Sequence, residues 1–90
     1  MTGAERILRE RQRQIEEEGY TQYKDDQHRD EQLLRAAACY IQASNPVFVR
    51  HTWPDPWQWN PSADQIRNLE RAGALIAAEI DRIQRRREEE

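Results

Sequence analysis

A single cysteine stands in the whole chain. Cys39 has no partner for an intrachain disulfide, and its place between Ala38 and Tyr40 marks it as a buried structural thiol rather than a nucleophile. Such cysteine usage fits a cytoplasmic location, or the host cytoplasm for a phage-encoded chain. No long apolar run is present, which excludes a membrane-spanning helix and leaves no membrane partner to expect. The first residues, MTGAERILRERQ, turn charged at Glu5 and hold no signal-peptide hydrophobic region. Basic charge does not dominate: 14 Lys and Arg against 17 Asp and Glu leave a net charge of −3. A general nucleic-acid binder needs a dominant basic face, so no DNA partner is expected. The G-x-S-x-G, C-x-x-C, Walker A and G-x-G-x-x-G patterns are all missing. His28 and His51 stand on separate segments, with no serine or cysteine placed to complete a triad.

What is present reads as helix. Ninety residues make one domain, and 37% hydrophobic with 34% charged residues allow only a modest core. The stretch from Ser62 to about Arg87 carries Ile66, Leu69, Gly73, Ile76, Ile80 and Ile83 at alternating steps of three and four. That spacing predicts one apolar stripe on a helix over about 62–87, opened by Ser62 and Gln65 as a capping box. Ala72, Gly73, Ala74, Ala77 and Ala78 make its middle thin enough for another backbone to approach. The stripe needs cover from the other helices, from a second copy, or from both. Its length against the few apolar residues elsewhere predicts a homo-oligomer, at least a dimer, close-packed at Ala72, Gly73 and Ala77.

A first helix is predicted over about 3–18, from the Thr2/Glu5 capping box to a stop at Gly19. Following its apolar stripe from Leu8 to Ile15 lands on Arg11. That arginine is either a stem with its head in water or an anion-binding group facing a site. A second helix is predicted over about 27–44. Asp25 or Asp26 caps it, Leu33, Leu34, Ala37, Tyr40 and Ile41 form its apolar side, and Asn45-Pro46 stops it. Its Ala36-Ala37-Ala38 run matches the thin middle of the third helix, so the two should pack closely as an antiparallel hairpin. Between them, 45–61 reads as a long loop that three prolines keep out of helix, and it holds Trp53, Trp57 and Trp59. Such a loop is either a flap that closes the bundle or an aromatic platform for a flat ligand. The fold class is all-α, with three helices in one domain.

Two constellations bear on chemistry. Glu18, Asp25, Asp26 and Glu79 are carboxylates on helices expected to face one another, the arrangement by which a bundle holds Mg²⁺. Their ordinary role is a solvated or capping charge. The second constellation sets Arg11 and Tyr20 with Asp26, His28, Trp53, Trp57 and Trp59. Guanidinium for phosphate and indole for base suit a nucleotide-like anion.

A set of motifs runs in order along the chain: E-R-x-R-Q at Glu10 to Gln14, E-G-Y at Glu18 to Tyr20, and D-D-Q-H at Asp25 to His28. A-A-A-C-Y at Ala36 to Tyr40, the W-P…W-x-W loop, and R-A-G-A-L-I-A-A-E-I-D-R at Arg71 to Arg82 complete it. The set resembles small all-α proteins encoded by phages and prophages. More weakly, acids on facing helices look like the MazG-like nucleotide pyrophosphohydrolases, although Glu16 to Glu18 lack that family's E-x-x-E spacing. By analogy of size, phage setting and self-association alone, the chain fits compact phage proteins that sequester nucleotide immune signals without cleaving them. The MazG-like resemblance implies Mg²⁺-dependent hydrolysis. Docking on a host protein through the Trp53–Trp59 loop is the third expectation.

Overall fold

A computed structural model describes residues 1–17, 31–54 and 57–89 of the chain. Every regular element among them is a helix: α1 (Gly3–Glu17), α2 (Gln32–Ile41), α3 (Pro46–Thr52) and α4 (Gln65–Glu89). The all-α class holds, with four described helices in place of three. None is long and apolar enough to cross a membrane.

Three of the four described helices start at a side-chain capping hydrogen bond, and α2 does not. At α1 the capping box closes both ways: Glu5 N–H donates to Thr2 Oγ1 at 3.1 Å and Thr2 N–H donates to Glu5 Oε1 at 3.0 Å. Glu31 opens α2 in the left-handed region, with φ of 58°. Of the helix expected over 27–44, the described part begins at Gln32 and ends at Ile41 rather than Ser44, while residues 27–30 lie outside the described residues. The loop expected over 45–61 contains α3. Asn45 and Pro46 stop a helix read from the left, but from the right they begin one. The Asn45 side chain accepts from Phe48 N–H at 3.1 Å, and proline suits the first helical position because its missing N–H is needed by no partner there. At α4 the cap is Asp64, not Ser62, its carboxylate accepting from Ile66 N–H at 3.0 Å. Asn68 then clamps Ser62 with two 2.8 Å bonds, one to its N–H and one to its carbonyl.

The long helix α4 is the hub. Both α1 and α2 pack on it, and α3 packs on α2. Leu33, Ala36 and Ala37 of α2 meet Ala72, Leu75 and Ala78 of α4 in the core. The alanine run and the thin middle do face each other, as the sequence predicts. The heptad stripe faces elsewhere. Ile66, Leu69, Ile76 and Ile80 stay between 38% and 53% exposed. The physical reason is size: two helices meeting through alanines approach too closely for a row of isoleucines between them. Ala72 is thus buried within the protomer, and it cannot serve as the self-association contact expected of it.

Gly73 is also taken, by α1. A Cβ added there would stand 2.6 Å from Ile7 Cδ1 and 2.7 Å from Ile7 Cγ1. Gly73→Leu should therefore push Ile7 and α1 off α4 and cost about 1–3 kcal/mol. Urea unfolding followed by circular dichroism checks this, and an unchanged midpoint would show that α1 does not rest on Gly73.

Candidate functional site

Trp53, Trp57 and Trp59 come together at one corner of the bundle. Trp53 follows the last turn of α3, whose terminal carbonyl, on Thr52, accepts from Arg35 Nε at 3.0 Å. The ring of Trp53 sits at the centre. Its centroid lies 4.7 Å from that of Trp59, 5.7 Å from Tyr40 and 6.2 Å from Trp57. The Tyr40 and Trp53 planes are edge-to-face at 86°, the arrangement that ring quadrupoles favour. Trp53 Nε1 donates to the Trp57 carbonyl at 2.6 Å, so its polar handle is satisfied. Tyr40, Trp53 and Trp57 pack against the alanine–leucine core, and all four rings remain half-buried.

Arg71 of α4 completes this corner. Its guanidinium lies 5.7 Å from the Tyr40 centroid, within cation–π range. One terminal nitrogen donates to the Asn60 carbonyl at 2.6 Å. Its Nε is buried and has no hydrogen-bond partner among the described residues.

Arg11 is held elsewhere. It pairs with Asp81 at 3.5 Å, about 15 Å further along α4 than Arg71 at 1.5 Å per residue. The three predicted tryptophans are gathered, and the cation beside them is Arg71 rather than Arg11. Tyr20, Asp26 and His28 lie outside the described residues. So do Glu18, Asp25 and Asp26 of the carboxylate set. Glu79, its remaining member, is buried and ion-paired with Arg82 one turn on. Among the described residues no group of three or more His, Cys, Asp and Glu is placed to hold a metal ion.

A second polar centre, at Glu10, lies between α1 and α4. Glu10, 2% exposed, accepts two 2.8 Å bonds from Arg13, one of 2.6 Å from Arg67 and one of 3.0 Å from Gln14. Burial pushes its carboxyl up, but the hydrogen bonds from Arg13, Arg67 and Gln14 outweigh that and bring it down to about 2. Arg6 and Arg67 both also reach Glu70, at 3.1 and 3.2 Å. These pairs lie near the start of α4, while Arg11 reaches Asp81 well beyond, so α1 lies across α4 rather than along it. The clue in the sequence was an inward row of Ile7, Glu10 and Gln14, one position off the row through Leu8 and Ile15. Cys39 is fully buried as expected, and burial raises its thiol above the ordinary range despite a nearby Arg35.

No protein-family model, curated protein or solved structure matches the chain.

Proposed function

We propose that this chain is a self-associating binding protein, at least a dimer, whose aromatic corner takes a nucleotide-like anion without turning it over. The observation that carries the reading is Arg71 Nε, a buried donor with no hydrogen-bond partner among the described residues, beside four clustered aromatic rings. An unpaired buried donor of this kind costs about 1–3 kcal/mol. A phosphate oxygen accepted there would recover that cost, while an indole face offers a surface for a base to stack on. In the phage setting that the motif string resembles, such a binder would sequester a host nucleotide signal.

Calorimetry against cyclic nucleotides and ADP-ribose derivatives tests this. Micromolar binding by at least one of them is expected, weakened tenfold or more in Arg71→Ala. Silence from the whole panel at high-micromolar protein would count against the binder. Release of pyrophosphate from mixed NTPs with Mg²⁺ would assign hydrolysis in its place.

A further inference from the structure

The apolar row of α4, only partly covered within the chain, is regular. Ile66, Leu69, Gly73, Ile76, Ile80 and Ile83 occupy alternating a and d positions of a heptad. With α1 and α2 packed on its other sides, α4 exposes Ile66, Leu69, Ile76 and Ile80 along a face about 21 Å long. The position without a side chain, Gly73, is covered by Ile7 of α1. Ile7 thus stands in for the missing seam residue, and Leu8, next to it, is 59% exposed.

We propose that this seam is the contact between two copies of the chain, paired antiparallel through α4. The proposal rests on the assembly part of the reading above and names its surface. A segment that covers a heptad seam must itself be an apolar helix of the same repeat. Residues 18–30, outside the description, contain no Ala, Val, Ile, Leu or Met, and α3 has only seven residues. Among the described helices, α4 alone carries a matching row. Reversed, the row fits itself: Ile66 comes level with Ile83 of the other copy, Leu69 with Ile80, and Gly73 with Ile76. The Gly73 layer, filled by Ile7, then meets an isoleucine. A parallel pair would instead stack Gly73 on Gly73 and align the two helix dipoles unfavourably.

The area agrees. Five large aliphatic side chains, each about half exposed, offer roughly 300 Å² per copy if a whole one carries about 120 Å². With the usual share of polar rim, two copies bury on the order of 1,000 Å², where specific interfaces begin.

Light scattering and cross-linking test it together. The wild type should show twice the 10.8 kDa chain mass. Ile80→Lys, at an exposed position, should run at 10.8 kDa with unchanged helical circular dichroism. Arg86→Ala should stay dimeric. In a Cys39→Ala background, Leu69→Cys and Ile80→Cys proteins should form a mixed disulfide when combined and none when alone. A monomeric wild type at high concentration overturns both the seam and the assembly it rests on. A dimer that survives Ile80→Lys overturns the seam alone, and homodisulfides at either site overturn the antiparallel pairing.

Discussion

Glu10→Ala should lower folding stability by about 3 kcal/mol. Breaking a buried ion pair by removing one partner costs about 3–5 kcal/mol, because the remaining charge is stranded. Here the strandings are partial. Arg67 keeps Glu70 and Arg13 keeps Glu17, both at 3.2 Å, so the lower end applies. The same carboxylate sets an acid limit. Its folded value of about 2 lies below its ordinary value of 4.5. A depressed carboxyl contributes stability that is fully present above about pH 4.5 and is lost as pH falls toward 2. Wild-type stability should therefore fall across that window more steeply than that of Glu10→Gln, which has nothing to protonate at this position. Urea titrations at pH 7, 4 and 3 give both numbers. A loss under 1 kcal/mol at pH 7, or equal pH slopes, would mean that α1 is held by something other than this network.

Trp53→Ala should cost a similar amount, about 3 kcal/mol, the low end for a buried tryptophan because this one is half-buried. Its ring touches Tyr40, Trp57 and Trp59, and its N–H holds the Trp57 carbonyl. Removing it takes away the one side chain common to the whole corner. Trp53→Phe keeps an aromatic ring and loses the hydrogen bond, so about 1 kcal/mol is expected. Near-ultraviolet circular dichroism should lose most of its tryptophan signal in the alanine variant and keep part of it in the phenylalanine one. If Trp53→Ala retains the wild-type near-ultraviolet spectrum, the rings are not organised around Trp53.

The parts of this fold that were legible in the sequence are the local ones. Thr2 and Glu5 are three residues apart, and their bonds depend on nothing beyond α1. The helical character of α4 follows from its own periodicity, as does the match of its alanines to those of α2. Which face of α4 turns inward does not follow. Its wide aliphatic row and its thin alanine row both have helical spacing, and the alanines face inward because α2 offers alanines in return. Asn45-Pro46 is compatible with a helix on either side of it; α2 has already ended at Ile41, and the pair instead caps α3. Glu10 was invisible for a different reason. A carboxylate becomes a core residue only when donors arrive to meet it, and Arg67 comes from 57 positions away. The tryptophans drew notice by composition. Their arrangement around Trp53, and the choice of Arg71 over Arg11 as the cation beside them, depend on where α3 ends and how α1 crosses α4.

Intrinsic fluorescence is the most direct test of the central claim, because all three tryptophans of the chain stand at the proposed site. The protein is titrated with a cyclic nucleotide or ADP-ribose derivative, alongside an Arg71→Ala variant whose helical circular dichroism matches the wild type. The account predicts a saturable change in tryptophan emission for the wild type, and its loss in Arg71→Ala. Emission that stays constant across the panel, or a saturable change that Arg71→Ala leaves intact, would contradict it.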